Sequence, residues 1–273
     1  HAQYRVQTQA SARAQSSAST DIDGGANGPT ESLSEAVAAA TAGPTFGLVT
    51  ASGRSSANIA TGKLKAFATG AINCPAGCVA GEASGFASFS DTLLFNVPGS
   101  NDASVTPVTF VVQSNGTIGD PTRSFVHGYD AVFGQDARVG RLTFASSPSG
   151  LSLTTAGVPG VQYEWLETTS NRMRARVTFE LWGINPTLRF EPSLSVSASG
   201  QTLDFFNTAT VSLVLPAGVS FTSASGVFLT DTGAASGVIP EPGTWAMMIA
   251  GFGLVGAIAR RRRGGDVHSG TQG

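Results

Sequence analysis

The stretch from Met173 to Leu181, MRARVTFEL, decides the fold, because apolar and polar residues alternate along it. Val177, Phe179 and Leu181 fall on one face of an extended chain, and the residues between them fall on the other. This period of two is typical of a strand with one buried face. The arginines of the stretch lie on the polar face, where they discourage pairing with another chain. We therefore predict a strand from Met173 to Ile184.

The same alternation extends in both directions from this stretch, and Gly, Pro, Asn and Asp interrupt it at turns. The other predicted strands are Ser56 to Gly70, Ala83 to Val97, Val108 to Gln113, Ser124 to Phe133, Arg138 to Ala145, Val161 to Thr168, Thr187 to Ala198, Thr208 to Leu215 and Val219 to Leu229. So many short strands predict an all-β fold, a jelly-roll-like antiparallel β-sandwich over residues 44–230.

Residues 1–43 have a different composition, rich in Gln, Ser, Ala and Gly. Within them we expect a flexible segment with one short helix from Glu31 to Ala40. Thr30 would cap this helix, and Leu33, Val37 and Ala40 would share one of its faces.

The charge content of the chain excludes one class of function. Charged residues make up 12% of the 273 residues, and the net charge is −2. Without the positive C-terminal cluster the remainder is acidic, so no basic patch is available for nucleic acid. Low charge and abundant small residues are typical of exported β-proteins.

The chain has two cysteines, Cys74 and Cys78, which flank the turn residues Pro75 and Gly77. In an exported chain this spacing predicts a disulfide that closes a short loop. A free or redox-active pair and a metal site are the alternatives, although a metal needs more ligands than the two thiols supply. We expect no metal and no cofactor.

We find no G-x-S-x-G hydrolase motif, no H-E-x-x-H zinc motif and no P-loop. His127 has Ser124 and Asp130 nearby in sequence, but an extended strand directs His127 and Asp130 to opposite faces. Glu164 and Glu167 are a candidate carboxylate pair for glycoside hydrolysis. Pairs of this kind are common in any globular domain, and we therefore expect a protein without enzymatic activity.

Tyr163 and Trp165 lie two residues apart in a predicted strand and share one face. Their rings offer flat apolar surfaces on which sugar rings can stack. The alternative is that both side chains point inward and belong to the core. We keep Tyr163 and Trp165 as candidate carbohydrate contacts beside that alternative.

The C-terminal tail has the composition of a membrane segment. Residues 231–238 form a spacer of small residues, which we expect to be flexible. Trp245 to Ala259 has no charge, and as a helix it spans roughly 22 Å. This is short for a hydrocarbon core of about 30 Å, but Trp245 at one interface and long arginines at the other can extend it. The segment therefore predicts a transient transmembrane helix.

Four consecutive arginines, Arg260, Arg261, Arg262 and Arg263, follow that segment. Positive charge resists translocation, so we expect this cluster to remain on the cytoplasmic side and the sandwich to lie outside. A polar tail, residues 264–273, follows the cluster.

The residues ahead of the span, Pro240, Glu241 and Pro242, with Trp245 three positions later, give the tail a specific pattern. Together with the arginines, this pattern over residues 239–263 resembles the PEP-CTERM sorting domain of Gram-negative bacteria, in its PEPxxWA form. The resemblance implies export with a signal peptide and an inner-membrane intermediate with a periplasmic sandwich. It also implies handling by a membrane-bound exosortase and delivery to the cell surface or extracellular matrix.

Two hypotheses follow for the sandwich. The first is a non-enzymatic surface or matrix protein associated with exopolysaccharide or biofilm. The alternative is a secreted polysaccharide hydrolase or lyase on a jelly-roll scaffold. An activity assay against the host polysaccharide separates the two.

Overall fold

The computed structural model describes residues 4–14, 17–26, 28–41, 48–71 and 81–230. Cys74, Cys78 and the whole tail from residue 231 lie outside the described residues, so the predicted disulfide, spacer and membrane helix remain predictions. All described strands belong to one compact unit that ends at Thr232.

The described residues form an all-β structure with sixteen strands and no helix. The strands are β1 (Tyr4–Ala14), β2 (Ser17–Ala26), β3 (Glu31–Thr41), β4 (Leu48–Asn58), β5 (Lys63–Ala71), β6 (Glu82–Asn96), β7 (Val105–Asn115), β8 (Thr117–Ile118), β9 (Phe125–Gln135), β10 (Arg138–Ser147), β11 (Gly150–Ala156), β12 (Val161–Thr169), β13 (Arg172–Trp182), β14 (Thr187–Ser199), β15 (Thr202–Val214) and β16 (Ser220–Ser223).

These strands form two antiparallel sheets that pack as a sandwich, which confirms the predicted fold class. Sheet A has the order β11-β10-β9-β14-β6-β1-β2, and β16 also pairs with β6. Sheet B has the order β12-β13-β7-β15-β5-β4-β3, and β8 also pairs with β15.

Part of this pairing has the nested order of a jelly roll. Along the chain from β6 to β14, the first strand pairs with the last (β6 with β14). The second strand pairs with the second-last (β7 with β13). The inner strands depart from that order, because β9, β10 and β11 form a meander within sheet A.

One part of the core is filled by phenylalanine rings, and we call it the aromatic region. Its central residue is Phe190 of β14, whose ring stacks on Phe110 of β7 with 4.7 Å between centroids. Phe133 of β9 is 5.0 Å away, and Phe89 and Phe228 contact the same ring edge-on. Burial of this much apolar ring surface contributes strongly to folding.

The other part of the core, which we call the small-residue region, lies between β1, β3, β4, β5 and the first half of β6. Its buried inward residues include Ala10, Ala12, Ala14, Ala36, Ala38, Ala51, Gly53, Ala66, Ala68 and Ala83. A Cβ atom on Gly53 of sheet B would lie 2.2 Å from the carbonyl oxygen of Ser84 in sheet A. The two backbones therefore approach more closely than the usual sheet separation of about 10 Å allows.

The N-terminal segment corrects the sequence prediction. Residues 4–41 are not a flexible segment with a helix from Glu31 to Ala40, because the described part forms β1, β2 and β3. In β3 the residues alternate, with Ser32 and Ser34 buried while Leu33 and Val37 are exposed. The helical spacing of Leu33, Val37 and Ala40 was misleading because this strand turns its small residues inward and its larger ones outward. The sandwich thus begins at Tyr4 and not at residue 44.

The strand prediction also differs from the structure in detail. The single strand predicted from Ser56 to Gly70 is the end of β4, a turn at residues 59–62 and then β5. Gly62 in that turn has a positive φ of 61°, a conformation that favours glycine. Strand β11 was not predicted at all.

Candidate functional site

The two candidate catalytic carboxylates lie on the edge strand β12, on its solvent side. Glu164 forms an ion pair with Arg176, and Glu167 forms one with Arg172 at 3.3 Å, both across to β13. A bulge between Trp165 and Glu167 interrupts the pairing of the two strands. Both carboxylates are exposed, and each is paired with an arginine of the neighbouring strand.

Tyr163 and Trp165 lie on the same face of β12, as the sequence predicts. Both side chains are half-buried and pack against the core. The hydroxyl of Tyr163 also donates a hydrogen bond to the carbonyl oxygen of Ala156, at 2.7 Å. This arrangement favours the inward interpretation, since much of each ring surface is covered by protein.

Among the described aromatic side chains, Trp182 at the end of β13 is the most accessible tryptophan, with 49% of its surface exposed. The guanidinium of Arg138 lies 5.3 Å from its ring centroid and also 5.3 Å from that of Phe179. Gln135 accepts a hydrogen bond from the Trp182 backbone N–H and donates one to its carbonyl oxygen. Trp182 is therefore an exposed ring on a firmly held backbone.

His127 is fully buried between the two sheets and is not part of a surface triad. Its Nε2 is 2.9 Å from the hydroxyl of Ser114 in β7, and its ring stacks on Phe205 of β15 with 3.8 Å between centroids. Burial lowers the pKa of His127 to about 4, so the ring is neutral at pH 7. The neighbour in sequence, Asp130, is instead bound by Arg141 on the outer face of sheet A.

The pairing of Ser114 with His127 could not be predicted from sequence, because the two residues come from different strands of opposite sheets. Such a pair has the composition of a nucleophile and its base. Both residues have no exposed surface, so no substrate reaches them from solvent. The pair is part of the core.

A shallow depression on the outer face of sheet A was also missed by the sequence analysis. Pro192 lies inside the central strand β14 and has no N–H, and the pairing of β14 with β6 is interrupted between Phe190 and Ser193. At this interruption a depression of about 210 Å³ opens, with a mainly polar lining that includes Arg5, Gln7, Ser88 and Glu191. Pro192 within the predicted strand from Thr187 to Ala198 was the sequence feature that could have indicated this depression.

The described residues contain no group of three His, Cys, Asp or Glu side chains that could hold a metal ion. Likewise, no helix long and apolar enough to cross a bilayer occurs in the part of the chain that the structure describes. The predicted span from Trp245 to Ala259 lies outside that part.

Residues 238–263 match the family model of the PEP-CTERM protein-sorting motif. The chain therefore carries a PEP-CTERM sorting signal at its C-terminus, as the resemblance of the tail indicates. The matched range includes Pro240, Glu241, Pro242 and Trp245, the predicted span and the four arginines. No curated protein matches the chain. The signal implies export through a membrane-anchored intermediate and processing by an exosortase in the membrane.

Proposed function

We propose that this chain is a non-enzymatic protein of the cell surface or extracellular matrix, sorted there through its C-terminal signal and associated with exopolysaccharide. The match of residues 238–263 to the sorting motif carries this proposal. In it, Trp245 to Ala259 crosses the inner membrane transiently, and Arg260 to Arg263 remain on the cytoplasmic side. The exosortase then acts near Pro240, Glu241 and Pro242.

The environment of the candidate catalytic groups supports a role without catalysis. Glu164 and Glu167 each face an arginine on β13. His127 is buried, and the proton affinity of its ring is lowered by burial. This environment supports structural roles for all three side chains, since the glutamates are ion-paired on the surface and the histidine is neutral in the core.

Association with exopolysaccharide is supported by two features of the surface. Trp182 offers an exposed ring, which is the side chain best suited to stack on a sugar. The depression beside Pro192 offers hydroxyl, amide and charged groups that match sugar hydroxyls. Trp182 is a better candidate for stacking than Tyr163 or Trp165, because their rings pack against the core.

Sorting is tested in the native host by replacing Glu241 with Ala. We expect this variant to accumulate unprocessed at the inner membrane, and mass spectrometry of the mature C-terminus measures the processing. Asp266→Ala is the matched control, because this acidic residue follows the motif. Normal processing of Glu241→Ala would refute the assignment, as would an equal defect in the control.

The proposed association is tested with the purified chain and immobilised host exopolysaccharide. We expect weak retention that Trp182→Ala reduces and that Trp165→Ala leaves largely unchanged. The same preparations are assayed for release of sugar fragments. Turnover that Glu164→Gln or Glu167→Gln abolishes would replace this proposal with the hydrolase or lyase alternative.

A further inference from the structure

Strand β11, Gly150–Ala156, is an open edge of sheet A. It pairs with β10 on one side only, and among the described strands none pairs with its other side. All seven of its residues are exposed, so neither face of the strand is covered by sheet B. Leu151 is 45% exposed and Leu153 is 41% exposed. A strand of this kind presents its backbone N–H and C=O groups to any extended partner.

The sequence around β11 lacks the charges that usually protect an edge. No Asp, Glu, Lys, Arg or His occurs from Leu142 to Tyr163. Strand β11 itself has no proline and combines leucine with threonine, both compatible with pairing. Exported proteins commonly protect such edges with lysine, proline or a bulge. None of these devices is present within β11.

The other three strands at the ends of the two sheet orders, β2, β3 and β12, are protected. Edge strand β3 has backbone N–H groups that point away from β4. Some of them are capped, because they donate hydrogen bonds to side chains of β2. The N–H of Glu35 donates to the carboxylate of Asp21 at 3.0 Å. Asp23 accepts from the hydroxyl of Ser32 at 2.9 Å and also from the backbone of Leu33. The same two aspartates place negative charge on β2.

Edge strand β12 of sheet B is protected in a different way. Glu164 and Glu167 place charge along it, and the bulge between Trp165 and Glu167 breaks its regular spacing. A bulge of this kind prevents continuous pairing with a further strand. Among the four strands at the ends of the two sheet orders, β2, β3, β11 and β12, β11 alone is both regular and uncharged.

We propose that β11 pairs in antiparallel orientation with β11 of a second copy of this chain. Two copies of an uncharged strand can pair without charge repulsion. Two copies of the acidic strand β2, or of the charged strand β12, would repel each other. A two-fold register centred on Ser152 places Leu151 of each copy opposite Leu153 of the other. These two leucine pairs cover apolar surface that the single copy leaves in water.

Because the other edges are protected, the assembly is limited to two copies. A strand that pairs with its own copy about a two-fold axis uses up the open edge of both molecules. The other three strands at the ends of the sheet orders carry charge, a bulge or N–H groups bonded to side chains, and the one-sided strands β8 and β16 have only two and four residues. No further copy therefore adds to the sheets. The product is a closed dimer in which sheet A continues from one copy into the next.

The dimer is tested by light scattering on the full-length chain in mild detergent, over a micromolar to millimolar concentration series. We expect a reversible monomer–dimer equilibrium. Leu153→Lys places a charge in the paired strand and should raise the dimer dissociation constant at least about tenfold. Thermal unfolding of Leu153→Lys should match the parent, since the side chain is exposed. Val37→Lys is the matched control, because Val37 is 62% exposed on the capped edge β3.

Each result decides the proposal. A parent chain that stays monomeric throughout the series overturns it, as does a dimer that Leu153→Lys leaves unchanged. Equal weakening by Val37→Lys would locate the interface elsewhere. Assemblies larger than a dimer would refute the closed two-fold arrangement.

The register is tested by oxidative cross-linking. In the proposed register the two copies of Ser152 lie directly opposite, with Cα atoms about 5 Å apart, within reach of a disulfide. The two copies of Thr154 are offset by four residues, more than about 12 Å, which is too far. Ser152→Cys should therefore form a covalent dimer, whereas Thr154→Cys and the parent with its native cysteines should not. The opposite preference would contradict the register.

Discussion

The aromatic region and the small-residue region are parts of one sandwich, but they are held together by different interactions. In the aromatic region, rings such as Phe110 and Phe190 fill a wide space between the sheets. In the small-residue region the backbones nearly touch, as at Gly53. There Thr8 of sheet A shares hydrogen bonds with Ser32 and Ser34 of sheet B, at 2.8 and 2.9 Å. The size of the inward side chains thus sets the distance between the sheets.

Strand β6 contributes inward side chains to both the small-residue region and the aromatic region. Its inward residues begin with Ala83, Gly85 and Ala87 and continue with Phe89, Leu93 and Phe95. Along the first half of β6 the inward residues are small and the backbones of the two sheets lie close together. Along the second half, large side chains hold the sheets apart, so the sheets diverge along this strand. One strand can therefore serve both core types when its inward side chains are small at one end and large at the other.

The largest expected effect lies in the aromatic region. Phe190→Ala removes a ring that contacts four other rings, so the free energy of unfolding should fall by about 3–5 kcal/mol. Chemical denaturation measures it. Phe86→Ala, on the outer face of β6, is the control and should cost less. Equal losses would show that the rings are not the main source of stability.

A smaller loss, about 3 kcal/mol, is expected from Gly53→Ala in the small-residue region. The added methyl group would meet the backbone oxygens of Ser84 and Ser11, at 2.2 and 2.6 Å, and backbone cannot move aside as a side chain can. Gly25→Ala is the matched control, since a Cβ there has no neighbour within 4 Å. If Gly53→Ala were as stable as this control, the close approach of the sheets would be wrong.

The pH dependence of stability should come from His127, whose ring stacks on Phe205 between the sheets. Its pKa is about 4 when folded and 6.5 when free, so the unfolded chain binds a proton first as the pH falls. The buried neutral ring costs the folded state nothing above pH 6.5. As the pH falls from 6.5 towards 4, protonation of His127 in the unfolded chain lowers the free energy of unfolding. Between pH 7 and pH 5 the loss should be about 2 kcal/mol.

His127→Gln tests this assignment by denaturation at both pH values. The variant should lose the extra fall in stability between pH 7 and pH 5. Asp91 acts in the opposite direction, because burial raises the pKa of its carboxyl group and acid then favours the folded state. That contribution is shared by the parent and the variant and cancels in the difference. An unchanged slope in His127→Gln would mean that another group carries the pH dependence.

The strands of the aromatic region could be predicted from sequence because their apolar and polar residues contrast strongly. The predicted strand from Ala83 to Val97 lies within one residue of β6 at each end. The small-residue region gave no such contrast, since alternation of Ala with Ser or Gln changes hydrophobicity little. For this reason β1 to β3 were mistaken for a flexible segment with a helix.

The sequence signal for β11 failed for another physical reason. Both faces of β11 are exposed, and its alternation is limited to Leu151 and Leu153, which is too short a pattern to predict a strand. Contacts such as Ser114 with His127 depend on how the sheets face each other, which local spacing does not determine. The sorting signal, in contrast, is local in sequence, so its residues could be recognised without any knowledge of the fold.

The order of strands in the sheets has a consequence for export. Strand β14 lies between β6 and β9, and β15 lies between β5 and β7, so the last long strands occupy the middle of both sheets. A chain that is translocated from its N-terminus cannot complete either sheet until residues 187–214 have emerged. The sorting signal begins soon afterwards, at residue 238. In the proposed export, the sandwich therefore becomes able to fold only shortly before the sorting signal reaches the membrane.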